Sequence, residues 1–257
     1  MGDGVWGIAR VKDELDVITT SVRWMLDQCD YVLVMDNAST DGTREELERL
    51  KRYPNSGGRL LVCDDPDVGY YQSAKMSALA WDAEGMGAGW VIPFDADEIW
   101  TAPNGHLATW LRDLDPGISI AQARLFDHVA TALDFDGQPD PVRRLTFRRK
   151  QPAELPKVAA RTRAPLVIHQ GNHGADYGRQ QDAGLIVHHY PYRSPDQLIS
   201  KVRNGAAAYA ATTLPEHIGQ HWRDYGRLTD DQLRDVFRTW FYAEDPQRAG
   251  LARDMPL

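Results

Sequence analysis

The run Trp90-Val91-Ile92-Pro93-Phe94-Asp95-Ala96-Asp97-Glu98 sets the reading of this chain. An apolar stretch ends abruptly in three carboxylates within four residues. An apolar run of this length reads as a buried strand. The acidic cluster then stands at the strand's carboxyl end, where open α/β sheets bind ligands. Like charges this close repel, and burial makes the repulsion worse. A cation therefore belongs among them. Hard oxygen donors on a loop suit Mg²⁺ or Mn²⁺, commonly shared with substrate phosphates. A solvated acidic turn after a strand is the plainer alternative.

Upstream, the pattern repeats. Val5 to Val11 reads as a strand and ends in Lys12-Asp13-Glu14. Leu15, Ile18, Val22, Met25 and Leu26 follow at helical spacing. Tyr31 to Met35 is a second strand, closed by Asp36-Asn37-Ala38-Ser39-Thr40-Asp41-Gly42-Thr43. Glu45 to Arg52 is helical, and Pro54-Asn55-Ser56-Gly57-Gly58 breaks it. Arg59 to Cys63 is a third strand before Asp64-Asp65, and Ser73 to Glu84 a third helix with Ala74, Ser77, Ala78 and Trp81 on one face. Strand and helix thus alternate through residues 1–98, the pattern of a parallel sheet with covering helices. Parallel strands point one way, so their acidic ends collect on one edge.

The chain has 257 residues, enough for one large α/β domain or two small ones. A net charge of −8 argues against a general nucleic-acid binder but leaves room for a local basic pocket. Cys29 and Cys63 lack zinc spacing and form no disulfide framework. No basic, apolar leader and no apolar run of 18 residues occurs, so the expectation is a cytoplasmic protein without an integral membrane segment.

Downstream the pattern changes. His106 to Leu114 suits a helix. Ile118 to Phe126 and Arg143 to Arg149 are strand-like, around a polar loop with Asp134, Asp136, Gly137 and Pro139. Val158–Arg161 and Leu166–His169 are short strand candidates, and Leu185 to Tyr190 a buried strand. Ser194, Pro195 and Gln197 open a helix to about Ala211. Thr229 to Gln232 carries a capping-box signature for a helix through Trp240. The chain reads as one domain, residues 1–257. Residues 1–98 form a nucleotide-binding half, 99–215 an acceptor and metal-completing half, and 216–257 a helical extension. The aromatic residues of that extension, Trp222, Phe237, Trp240, Phe241 and Tyr242, suit packing, a cover over the acceptor site, or a homodimer contact.

Asp36 to Thr43 after one strand, and Asp95-Ala96-Asp97 after another, resemble the GT-A glycosyltransferases of the family 2 type. Their D-[DN]-x-S-x-D-G-T signature and D-x-D motif are both matched, and Arg10-Val11-Lys12-Asp13-Glu14 stands where that family has a short turn such as Arg-Asn-Glu. The resemblance covers residues 5–98. It extends more weakly to Lys157-Val158 and to His189-Tyr190-Pro191-Tyr192-Arg193-Ser194 through Lys201, similar to a bacterial branch related to family 92.

That resemblance implies a GT-A α/β/α sandwich, with a mostly parallel central sheet and a mixed C-terminal half. It implies a metal-dependent, inverting enzyme moving a sugar from a UDP- or dTDP-sugar to a small-molecule or glycan acceptor. Asp97 would hold Mn²⁺ or Mg²⁺, and Asp95 would meet the ribose or the metal through water. Asp36 would accept from the base, the Ala9 backbone and Arg10 would flank it, and Lys75 would lie near the nucleotide. A distal histidine would complete the metal shell. His189 is the better match, although His188 and His189 point to opposite faces of a strand and only one can reach the site. For the general base, Asp176 beside His173 competes with Asp127-His128. Two other readings stay open. A nucleotidyltransferase would carry a glycine-rich basic loop after the first strand, and none follows Val11. A non-catalytic nucleotide-sugar binder would have lost its metal site, yet Asp95 and Asp97 are both present.

Overall fold

Apolar runs with acidic ends become parallel strands with their turns on one edge. The structure, a computed structural model, describes residues 2–54, 56–134, 137–163 and 165–257; Asn55 of the predicted break and Asp136 of the predicted loop lie outside them. In chain order the first elements are β1 (Gly4–Val11), α1 (Ile18–Gln28), β2 (Tyr31–Asp36), α2 (Thr43–Lys51), β3 (Leu60–Asp64), α3 (Gln72–Gly85) and β4 (Ala88–Pro93). Then come β5 (Glu98–Thr101), α4 (Leu107–Asp113), β6 (Ile118–Asp127), β7 (Ala130–Thr131), α5 (Pro141–Arg144), β8 (Phe147–Arg149) and β9 (Lys157–Arg161). The chain finishes with β10 (Arg179–His189), α6 (Pro195–Ala210), α7 (Gln220–Tyr225), α8 (Asp230–Val236), β11 (Tyr242–Ala243) and β12 (Leu251–Arg253).

Eight strands form the central sheet in the order β3-β2-β1-β4-β9-β6-β10-β5. The first four are parallel, with Ile8 opposite both Leu33 and Pro93. β9 runs against β4 and β6, β10 runs with β6, and β5 runs against β10. Only β9 and β5 therefore oppose the rest.

Strand alternation sends side chains into two cores. Val5, Ala9 and Val11 of β1 meet Ile18, Val22 and Met25 of α1 and Leu47 and Leu50 of α2. Leu107 and Leu111 of α4 and Leu198 and Val202 of α6 extend this layer. Trp6 and Ile8 face the other way, onto Met76, Leu79, Ala80 and Ala83 of α3. Each fully buried Val, Leu, Ile or Met among them contributes roughly 1.5–3 kcal/mol. The fold is a mixed α/β sandwich with a mostly parallel central sheet, as the alternation of strands and helices implies.

Some local expectations are corrected. Trp81 is 48% exposed, because the buried face of α3 runs through Met76, Leu79, Ala80 and Ala83 rather than through Ala74 and Trp81. Its indole N–H instead donates to the Leu166 carbonyl at 2.8 Å. Leu15 is exposed and precedes α1, since residues 12–17 form the turn that serves the sheet edge. Residues 141–144 are a helical turn, which Asp140 caps on the Val142 N–H, so only Phe147–Arg149 is strand. Leu166–His169 forms no strand beyond a single bridge, Ile168 to Ala175. The helix after Thr229 has its capping box but ends at Val236 and passes into a π-helical turn over Phe237–Phe241. The Ser194 hydroxyl caps α6 on the Gln197 N–H, as expected. Both cysteines are free thiols.

Candidate active site

Strand direction decides which residues reach the acidic edge. Strands β1, β2, β4, β6 and β10 deliver their last residues: Arg10 to Glu14, Asp36-Asn37, Asp95 to Asp97, Asp127, and His188-His189. The two opposed strands deliver their first: Glu98 from β5 and Lys157 from β9. A cavity of about 270 Å³ opens here, lined by Arg10, Lys12, Asp95, Asp97, His189 and Lys201 among others.

Every carboxylate of Asp95-Ala96-Asp97-Glu98 has a protein cation. Lys157, 4% exposed, meets Asp95 at 2.6 Å and Glu98 at 2.7 Å, and donates to the Gly171 carbonyl at 2.9 Å. Glu98 is fully buried, opens β5 rather than lying in a loop, and accepts from the Asp95 N–H and the Trp100 indole. Burial raises its pKa, with Asp95 adding and Lys157 only partly opposing. Asp95 also accepts from Gln72 at 3.2 Å and Asn172 at 3.1 Å. Asp97 is bound by Lys201 through a short hydrogen bond, with Arg193 at 3.6 Å. Burial alone would raise the Asp97 pKa, but Lys201, His189 and Arg193 outweigh it and hold the group ionised.

His189 belongs to the same cluster. Its Nε2 faces Asp97 Oδ2 at 3.7 Å, while Nδ1 lies 2.8 Å from Asp127 Oδ1. Burial disfavours its charged form, but Asp97 and Asp127 outweigh burial and raise its pKa. His188 turns to the opposite side of β10, against His128 at 3.2 Å and Asp254. Burial pushes His188 and His128 each down to about 4.

A carboxylate that orients one ring nitrogen while the other faces a second carboxylate is the supporting arrangement of a metal-binding histidine. One ion with bonds of about 2.1 Å could bridge donors 3.7 Å apart. Among the described residues no three His, Cys, Asp or Glu side chains form a metal cage by themselves. Asp97 and His189 thus fit a hard divalent ion that takes its other ligands from phosphate and water, provided Lys201 leaves the same carboxylate oxygen.

The remaining walls are polar. Arg10 meets Asp65 at 3.1 Å and Asn37 at 2.5 Å, and lies over the Tyr70 ring at 5.4 Å. Lys12 donates to the Asn37 and Ala38 carbonyls, both at 3.0 Å, and has no carboxylate within ion-pair distance among the described residues. Asp13 is left-handed (φ 52°), locked by the Thr40 N–H and by Asn204 of α6. Helix α6 turns a polar and small stripe inward: Gln197, Ser200, Lys201, Asn204, Gly205 and Ala208. Gly205 admits Trp222 of α7, because a Cβ there would stand 2.7 Å from the indole ring. Beyond His189 a smaller chamber of about 180 Å³ is lined by Asp127, Arg149, Tyr192 and Phe241, with His189, Pro191 and Tyr192 shared between the two.

Of the residues singled out in the sequence, Arg10, Asp95, Asp97 and His189 line the main cavity, and Asp127 joins through His189. Ala9 is buried between Val34 of β2 and α1. Lys75 sits behind the wall, paired to Asp65 at 2.6 Å. Asp36 is buried, with Oδ2 accepting from the Ser39 N–H and Oδ1 without a hydrogen-bond partner among the described residues, while its neighbour Asn37 lines the cavity. His173 is held by the Pro156 carbonyl at 2.9 Å. Asp176 forms an exposed pair with His169, apart from the cavity lining. Arg193 and Asn204 join the site without a role assigned from sequence, and Trp222, one of the aromatics that suited packing or a cover, lines the cavity.

No family model matches the chain, and no curated protein sequence matches it. Solved structures do resemble it in shape. TarS of S. aureus, residues 1–349, shares 14% identity at a TM-score of 0.42, over 91% of this chain and 70% of that one. GalNAc-T7 with UDP, GalNAc and Mn²⁺ shares 13% identity at 0.42, over 90% of this chain and 56% of that one. A protein described as a glucose-1-phosphate thymidylyltransferase from Bacillus anthracis shares 9% identity at 0.34, over 94% and 86%. At these scores the likeness carries no functional argument.

Proposed function

We propose that this protein transfers a sugar from a UDP- or dTDP-sugar to an acceptor hydroxyl, with inversion. The observation that carries the reading is the convergence of Asp97, His189 and Asp127 with Arg10, Lys12 and Lys201 around a single cavity. A divalent ion held by Asp97 and His189 would supply charge neutralisation for the diphosphate as it leaves. Arg10 and Lys12 add fixed positive charge aimed at the same group, which costs no reorganisation during reaction, and Lys201 adds a third positive charge at the cavity wall. Asn37 and Tyr70 hold the nucleotide end. Trp222, packed over Gly205, excludes water from the α6 side.

Transfer breaks the bond between the anomeric carbon and the diphosphate oxygen and forms one to the acceptor oxygen. The acceptor proton then needs a base. Among Asp127, His173 and Asp176, Asp127 fits best. It lines the smaller chamber beside the donor cavity, and only its Oδ1 is committed to His189. Burial opposes its ionisation, but its bond to His189 outweighs this and keeps it charged and able to accept a proton. The smaller chamber would then receive the acceptor. A nucleotidyltransferase is the weaker reading: the turn after β1 is locked around Asp13 by Thr40 and Asn204 and is not a glycine-rich phosphate loop.

The experiment is nucleotide release from UDP- and dTDP-sugars with Mn²⁺ in the presence of candidate hydroxyl acceptors. Asp97→Ala should abolish metal-dependent UDP binding by calorimetry while leaving the circular-dichroism spectrum unchanged. Unchanged binding would remove Asp97 from the site and refute the reading.

A further inference from the structure

Three protein cations surround the acidic turn, and they are not alike. Lys157 is fixed by Asp95, Glu98 and the Gly171 carbonyl. Arg193, 1% exposed on its side chain, is fixed by Glu14 at 2.5 Å, Asp16 at 2.7 Å and the Tyr190 carbonyl at 3.1 Å. Lys201 alone of the three lines the cavity. Beyond Asp97, its ammonium has, among the described residues, the Pro191 carbonyl at 3.3 Å and Glu14 at 3.8 Å. It bonds Asp97 Oδ2, the oxygen that faces His189. An ion shared by Asp97 and His189 and this ammonium cannot occupy that place together.

We propose that Lys201 is the resident counter-ion of Asp97, and that a divalent cation binds tightly only together with the nucleotide diphosphate, which draws the Lys201 ammonium onto its phosphates. The proposal rests on the donor reading above and adds an order and a coupling to it. Electrostatics supply the reason. Lys201 and Arg193 already crowd one buried carboxylate. A bare divalent ion would meet their repulsion and would also have to displace a buried ion pair. A diphosphate brings negative charge for both the ion and the displaced ammonium. The long flexible stem of a lysine permits that swing, and the ammonium starts at the cavity wall. Linkage then requires that nucleotide and metal strengthen one another's binding equally. Lys201 is thus a positioning residue that sets metal affinity, although it cannot itself ligate the metal while protonated.

Calorimetry and Mn²⁺ electron paramagnetic resonance test this with Mn²⁺ alone, UDP alone and both, the Mn²⁺–UDP equilibrium in solution being measured separately. Wild-type protein should bind Mn²⁺ weakly alone and on the order of tenfold more tightly with UDP. Lys201→Met should tighten Mn²⁺ alone by on the order of tenfold, weaken UDP alone and shrink the coupling. Lys201→Arg retains the positive charge and should keep Mn²⁺ weak. Asp97→Asn should remove Mn²⁺ binding throughout. Equal Mn²⁺ affinity with and without UDP in the wild type would overturn the exchange, and that arm needs no variant to fold. Unchanged Mn²⁺ affinity in a folded Lys201→Met protein would overturn it too. If no Mn²⁺ binding depends on Asp97 even with UDP, the exchange and the metal reading fall together.

Discussion

Replacing Lys157 by methionine tests the claim that protein cations hold the acidic turn together. The ammonium bridges Asp95 and Glu98 at 2.6 and 2.7 Å, and Glu98 is fully buried. Methionine fills similar volume but leaves both carboxylates without their counter-charge. Removing one partner of a buried pair costs about 3–5 kcal/mol. Most of that should fall on Glu98, because Asp95 is 30% exposed on its side chain and keeps the Gln72 and Asn172 amides. With a urea m-value of about 3 kcal/mol/M, a loss of about 4 kcal/mol lowers the midpoint by roughly 1.3 M. Glu98→Gln on top of Lys157→Met removes the stranded charge and should recover about half of the loss. The deficit should also depend on pH. A carboxyl whose folded pKa is raised binds protons more readily in the native state than in the unfolded chain. Its stability contribution is full below the ordinary value and is lost as pH rises through the folded value. Burial already raises Glu98 with Lys157 present, so without Lys157 the deficit should be larger at pH 8 than at pH 5. Urea melts followed by tryptophan fluorescence at both pH values measure it. A midpoint shift equivalent to under about 1 kcal/mol, or no recovery in the double variant, would refute the argument.

Other expectations follow from the same geometry. Asp127→Asn should keep UDP binding by calorimetry but lower turnover by about 10²–10⁴-fold, the usual contribution of a general base; Asp176→Asn should leave turnover near wild type. Gly205→Ala places a methyl within 2.7 Å of the Trp222 ring, so it should displace the indole, shift the tryptophan emission and weaken nucleotide binding. His128 and His188 are held neutral, each near 4, so their contribution is present above about pH 6.5 and is lost as pH falls towards 4. Each shift corresponds to about 3 kcal/mol at most, and the two share a hydrogen bond, so they do not add. His188→Asn should flatten the urea midpoint between pH 6.5 and 4 relative to wild type.

What the sequence made legible was whatever lies within one strand and its turn. Asp95 and Asp97 follow an apolar run, so their place on the sheet edge could be read locally. His188 and His189 are adjacent on one strand, so alternation alone required one to turn away, and the resemblance favoured the one that lines the cavity. The partners were harder. Lys157 meets Asp95 across 62 residues and Lys201 meets Asp97 across 104, and no local pattern encodes such pairs. The orientation of β9 gives the rule that was missing. A strand running against its neighbours brings its first residue, not its last, to the edge where the others end. Lys157 opens β9, and Glu98 opens the other opposed strand, β5. The mixed half of the sheet thus supplies both the extra buried carboxylate and the cation that neutralises it. An all-parallel sheet would bring only strand ends to this edge and could place neither residue there. The change of strand direction after β4 is therefore part of how the acidic turn is tolerated, and the Lys157→Met deficit measures its worth.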